Sequence, residues 1–296
     1  MIPRAYITAW RATAPWAIDA QVEQDLVISR ALVEIFSDPA LAAAFAFRGG
    51  TALHKLFFQP AARYSEDIDL VQVTAEPIGP ALNALRARLD PWLGAPQRRR
   101  GEGRVSLAYR FDAEGLPVTR LRLKVEINTR EHFAVHGHLR KQVHVDNPWF
   151  SGAADVVTFT LEELLGTKLR ALYQRKKGRD LFDLARALQK HPELDRSKVV
   201  ACFGAYMRHG GTPCSRAEFE INLAAKEADR GFLTDVHALL AIVPGAPTAF
   251  DSGSSYDAGL FFDAGSRELY DAKQALATVR RELIQLLPGE PWRAGK

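Results

Sequence analysis

Cysteine is scarce: the 296-residue chain has two, Cys202 and Cys214. Two cysteines cannot build a disulfide framework, so a reducing, cytoplasmic setting is expected. No uninterrupted apolar run approaches the length of a membrane span. Residues 1–10 lack the basic-then-apolar pattern of a secretion signal. Internal repeats and low-complexity tracts are missing too. There is no G-x-x-x-x-G-K-[ST] loop, which excludes a P-loop nucleotide site. Neither sign of charge dominates: 39 Lys and Arg stand against 35 Asp and Glu, a formal net charge of +4. That mildly basic balance is compatible with nucleic acid without requiring it. With 47% hydrophobic and 25% charged residues the composition is that of a folded globular protein. The length suits two domains, or one domain with a large extension.

What is present centres on Phe47-Arg48-Gly49-Gly50-Thr51-Ala52-Leu53-His54-Lys55 and, further on, Ser65-Glu66-Asp67-Ile68-Asp69-Leu70. In a strand, Asp67 and Asp69 point one way while Ile68 and Leu70 point the other. Two carboxylates side by side repel each other unless a cation lies between them. Hard oxygen ligands on one face suit Mg²⁺, which keeps several waters and shares its shell with substrate phosphates. The glycine pair lets backbone N–H groups approach an anion, and Thr51 opens a helix whose N-terminus favours a phosphate. Turn, helix and carboxylate strand together suggest a triphosphate and metal site.

In chain order, Asp19–Phe36 has helical periodicity, with Asp19 as expected N-cap and Asp38-Pro39 as its end. A short helix over Leu41–Phe45 should lead into a strand near Phe47. Leu82, Leu85, Leu89 and Trp92 have helical spacing, and Arg98-Arg99-Arg100-Gly101 reads as a basic loop. Val105, Leu107, Tyr109 and Phe111 then alternate, as do Leu121, Leu123, Val125 and Ile127. With the turn Asp112–Pro117 between them they predict an antiparallel hairpin. The polar face of its second strand holds Arg122, Lys124, Glu126 and Asn128. Glu126 is a candidate third carboxylate, as metal ligand or as base toward an attacking hydroxyl. Lys124 is placed to neutralise phosphate charge.

His132, His136, His138 and His144 fall within 129–150, where no cysteine or carboxylate cluster completes a metal site, so the stretch reads as a polar loop. Thr160-Leu161-Glu162-Glu163 is a capping box opening a helix. Gln174–Gly178 is a second basic loop, and Arg179-Asp180 opens the next helix. Lys168 on one arm faces Asp180 and Asp183 on the other, which on spacing alone reads as a surface ion-pair network. Beyond 190 the chain stays helical. Loops are expected near Gly210–Pro213, Pro244–Pro247 and Gly253–Ser255, and a last helix over Glu268–Leu287.

Gly49-Gly50-Thr51 with Asp67-Ile68-Asp69 resembles the signature of polymerase-β-like nucleotidyltransferases. The wider stretch Phe47–Leu70, with Arg63 and Ser65 ahead of the aspartates, is similar to the AbiEii/AbiGii toxin family of that superfamily. Lys124-Val125-Glu126-Ile127 looks like the family's second motif. Gly166-Thr167-Lys168-Leu169 and Arg179-Asp180-Leu181-Phe182-Asp183-Leu184 look like its third and fourth. The likeness is strong over residues 19–190 and weak beyond.

The resemblance implies an α/β (α+β) fold: a polymerase-β-like mixed sheet with helices over 1–152, then a helical domain over 153–296 that contributes to the nucleotide site. It implies transfer of a nucleoside monophosphate from a triphosphate, with Mg²⁺ or Mn²⁺ on Asp67, Asp69 and Glu126. Gly49, Gly50 and Thr51 would hold the nucleotide, and Lys168 and Asp180 would reach it. Arg48 and Arg63 are phosphate contacts or structural. The family also implies a phage-defence or bacterial toxin with a cognate antitoxin, and some relatives modify transfer RNA and stop translation. A tRNA 3′ end is therefore the expected acceptor, to which the two basic loops add some support. Two rivals stand beside this reading: an antibiotic-modifying nucleotidyltransferase, and a nucleotide-binding regulator without catalysis.

Overall fold

A computed structural model describes all residues except 1, 15, 17, 115–117, 241–269 and 294–296. The chain divides into two compact units, Met1–Phe159 and Thr160–Lys296. The division falls later than residue 152 because the last strand of the sheet runs on to Phe159.

The first unit opens with helices α1 (Arg4–Trp10), α2 (Asp19–Phe36) and α3 (Pro39–Ala44). Strand β1 (Phe45–Arg48), helix α4 (Gly49–Leu56), strand β2 (Asp67–Gln72) and helix α5 (Gly79–Leu93) follow. Five strands complete it: β3 (Gln97–Gly101), β4 (Arg104–Asp112), β5 (Arg120–Asn128), β6 (His138–Asn147) and β7 (Phe150–Phe159). All seven form one sheet in the order β3-β4-β5-β2-β1-β7-β6. β2 runs parallel to β5 and β1 to β7, and the other neighbours are antiparallel. The mixed α/β sheet expected from the motifs is the sheet that forms.

Alternation decides which face is covered. Val105, Leu107 and Tyr109 of β4 and Leu123, Val125 and Ile127 of β5 are buried, and α2 and α5 pack against these strands. The intervening residues of both strands are half-buried or exposed. Arg30 of α2 lies 4.2 Å from the Trp92 ring centroid and 4.7 Å from that of Trp149, pinning α2 to the end of α5 and to the β6–β7 turn.

Several local expectations change. The N-cap of α2 is Ile18, and Asp19, the first residue of the helix, pairs with Arg11. Asp38 caps α3 by accepting from the Ala40 and Leu41 amides. Arg98–Arg100 are not a loop but lie in β3, an edge strand whose exposed charges discourage further pairing. Residues 138–147, read as part of a polar loop, are β6. Their alternation is interrupted by Lys141 and Asn147 on the inward side, where Val143 and Val145 are buried. The Asp112–Pro117 turn lies partly outside the described residues.

The second unit contains α6 (Leu161–Gln174), α7 (Gly178–Lys190), α8 (Arg196–His209), α9 (Arg216–Glu227), α10 (Arg230–Thr234) and α11 (Ala272–Glu282). Thr160 accepts from the Glu163 amide as expected. The reciprocal half of that capping box is lost, because Glu163 is fully buried and accepts from the Tyr206 hydroxyl at 2.8 Å. A full capping box occurs instead at Ser215 and Glu218. A Cβ on Gly166 would lie 2.5 Å from Cys202 Cβ and 2.9 Å from the Phe203 amide nitrogen, so this glycine lets α6 and α8 approach. The last helix begins at its cap Asp271 and gives way after Glu282 to a 3₁₀ turn over Ile284–Leu286. The expected loops at 244–247 and 253–255, and the expected start of the last helix at 268, lie outside the described residues. Among the described residues no helix is long and apolar enough to cross a membrane.

Candidate active site

β1 leads directly into α4 through Gly49, whose φ is +85°. A Cβ built there would lie 2.1 Å from Asp69 Oδ2 and 2.9 Å from Asp69 Cγ. The Asp69 carboxylate therefore rests on the bare backbone where α4 begins. A side chain at 49 would meet both the positive φ and the carboxylate.

Asp67 and Asp69 share one face of β2, both half-buried, while Ile68 and Leu70 are buried on the other. The parallel register places Asp69 opposite Glu126 and Asp67 opposite Lys124. Glu126 thus stands beside Asp69 on the same face, and Lys124 Nζ pairs with it at 2.5 Å. Gln24 of α2, buried, holds this register: its amide donates to the Glu66 carbonyl at 3.3 Å and to the Arg122 carbonyl at 3.2 Å.

Thr51 is buried and its hydroxyl is committed within the fold. It donates to the Asp67 carbonyl at 2.5 Å, so its one proton is used and Ser65 Oγ, 2.8 Å away, is the donor to it. What Thr51 leaves available is its backbone amide in the first turn of α4. Lys55, at the end of α4, donates to Asp25 Oδ1 at 2.6 Å and Ser29 Oγ at 2.9 Å. Trp10 also donates to Asp25, so a buried polar knot ties α4 to α1 and α2. Arg48 pairs with Glu131 at 2.5 Å. Arg63 is buried and donates to the Tyr64 carbonyl at 2.9 Å. Both arginines are thus held by partners within the protein.

In the second unit, Lys168 Nζ lies 3.2 Å from Asp180 Oδ1 and 2.8 Å from Asp183 Oδ2. Arg175 grips Asp180 with Nε at 2.6 Å and a terminal nitrogen at 2.8 Å. Both aspartates have 0% side-chain exposure and Lys168 has 7%, so the network is buried rather than superficial. Burial on its own pushes the Asp180 carboxyl up; Lys168 and the Arg175 guanidinium overcome it and hold the group below the usual carboxylate range. Lys226 donates to the last carbonyls of α6, at Leu172 and Tyr173, and burial pushes its pKa down to about 8. The 175–179 loop is less available than its sequence suggests, because Arg175 serves Asp180 and Lys176 pairs with Asp229.

The donor chemistry of Asp67 and Asp69 fits Mg²⁺ or Mn²⁺, since such an ion needs only one or two carboxylates when substrate phosphates complete its shell. Among the described residues no group of three or more His, Cys, Asp or Glu is gathered closely enough to hold a metal ion, the four histidines of 132–144 included. Glu126 is therefore beside the pair, not in a closed trio with it. Gln24, Glu131 and the grip of Arg175 on Asp180 were not foreseen. Gln24 carried no signal, because its partners lie 42 and 98 residues away.

The model of the AbiEii nucleotidyl transferase toxin, type IV toxin–antitoxin system, matches residues 30–252. The chain belongs to this family. No curated protein matches it. Among solved structures, MenT4, the nucleotidyltransferase toxin Rv2826c from Mycobacterium tuberculosis H37Rv, is 18% identical, with a TM-score of 0.50 over 68% of this chain and 69% of that one. JHP933 from Helicobacter pylori is 16% identical, with a TM-score of 0.44 over 71% of this chain and 82% of that one. At such identities the likeness to MenT4 is one of fold.

Proposed function

We propose that the protein is a metal-dependent nucleotidyltransferase toxin of the cytoplasm, transferring a nucleoside monophosphate from a triphosphate to an RNA 3′ end, a tRNA in the first place. The observation that carries this reading is the Asp67–Asp69 face with its Gly49 seat and its Glu126 neighbour. Asp67 and Asp69 would hold Mg²⁺ or Mn²⁺, which supplies charge stabilisation at the reacting phosphate. The amides of Gly49, Gly50 and Thr51 would orient phosphate oxygens at the start of α4. Glu126, paired to Lys124, would accept the proton of the attacking hydroxyl. Its oxygen forms the new bond to the α-phosphorus and pyrophosphate leaves. Lys168 and Asp180, in stretches that resemble the family's third and fourth motifs, would take part in handling the nucleotide. Blocked tRNA would stop translation, and a cognate antitoxin would restrain the activity.

The test is incubation with each labelled triphosphate, Mg²⁺ and total RNA. Label should reach RNA, and it should not with chelator or with Asp67→Asn or Asp69→Asn, both of which should fold because removing one carboxylate relieves repulsion. Full turnover in both variants would defeat the two-aspartate mechanism. Label found on a small molecule and never on RNA would defeat the acceptor.

A further inference from the structure

We propose that the open face of β3, β4 and β5 is the track along which the acceptor's sugar–phosphate backbone lies; this rests on the RNA-acceptor reading above. The register defines the track. Arg99 pairs with Ser106, Ser106 with Glu126, and Glu126 with Asp69, so one row crosses four strands from the edge of the sheet to the catalytic aspartate. Arg104 and Arg122 lie on that same face of β4 and β5, as alternation from Ser106 and Glu126 requires. Arg99, Arg104 and Arg122 are exposed. The other cations of the face are occupied: Arg120 pairs with Asp112, Lys124 with Glu126, and Arg110 donates to Gln97. Arg99, Arg104 and Arg122 hold no ion pair among the described residues.

Dimensions agree with a strand lying across the sheet. Three strand spacings of ~4.8 Å separate Arg99 from Asp69 along the row, a span of roughly 14 Å, while Arg104 and Arg122 flank the row on either side, about 7 Å and 13 Å along their strands. At ~3.4 Å per stacked nucleotide the row reaches about four nucleotides back from the reacting end. Guanidinium groups facing solvent from a sheet, with no acid to neutralise them, complement phosphodiesters. Arg98 and Arg100 alternate to the opposite face, in register with the buried Leu107 and Val105, and so cannot join the track. The run of three arginines in the sequence is therefore one contact and two bystanders.

The experiment measures RNA binding by the full chain as a function of salt. For Arg99→Ser/Arg104→Ser/Arg122→Ser, affinity should fall and the slope of log K against log salt should become shallower by about 2, three contacts at ~0.7 each on a single strand. Triphosphate binding and melting temperature should hold, and Arg98→Ser/Arg100→Ser should keep the wild-type slope. Should the triple variant fold poorly, each single variant should still lower the slope by ~0.7. A wild-type slope in the triple or single variants, an equal loss in the Arg98/Arg100 variant, or wild-type protein that binds no RNA would overturn the track. The acceptor reading fails separately: label absent from RNA with the slopes shifting as expected leaves the track as a binding surface, whereas labelled RNA with unchanged slopes removes the track alone.

Discussion

A methyl group at position 49 would test the site more sharply than the loss of a charge. Gly49→Ala meets a φ of +85° and would put Cβ 2.1 Å from Asp69 Oδ2. The left-handed backbone costs roughly 1–2 kcal/mol for an L side chain. The displaced carboxylate should lower kcat by about 10²-fold, the effect of misplacing a reacting group by ~1 Å. Turnover at saturating triphosphate, read beside a urea melt, checks both; unchanged kcat would mean that Asp69 has no fixed position in the reaction. The motif was legible as a motif, since glycine pairs and alternating aspartates have fixed chemical meanings. What each residue touches was not. The Thr51 hydroxyl faces Ser65 and the Asp67 carbonyl, and Arg48 and Arg63 turn to protein partners, because side-chain direction depends on neighbours remote in the chain.

Elements were legible where period and burial agree. The β4–β5 hairpin and helices α6 and α7 were expected from apolar spacing, since one face of each meets the core. β3 was missed because an edge strand of arginines carries no apolar alternation, and β6 because its inward side includes Lys141 and Asn147 beside Leu139, Val143 and Val145. The α6–α7 hairpin shows a different limit: spacing identified the Lys168–Asp180 pair but not its burial. With both aspartates fully buried, Lys168→Ala should destabilise by roughly 3–5 kcal/mol through uncompensated charge. Any fall in kcat must then be read in protein shown to be folded. A change below ~1 kcal/mol in chemical denaturation would return the pair to the solvated surface that spacing first suggested.

Across the whole molecule the same network predicts an acid limit. Asp180 has a lowered folded-state pKa, so its contribution is present above the ordinary carboxylate value of ~3.9 and is lost as pH falls through the lower folded value. Unfolding free energy of the full chain should drop as pH falls below ~4, and Asp180→Asn should flatten that drop; identical pH profiles would remove Asp180 from the acid transition. The parallel pairing of β2 with β5 has a consequence of another kind, in time. Asp69 is made early, but the strand that sets Glu126 beside it arrives only after α5, β3 and β4 have been synthesised. Parallel partners far apart in the chain close late, after the loop between them has paid its ordering entropy. A chain interrupted on the ribosome anywhere before Arg120 therefore carries the aspartates without the strand that pairs beside them.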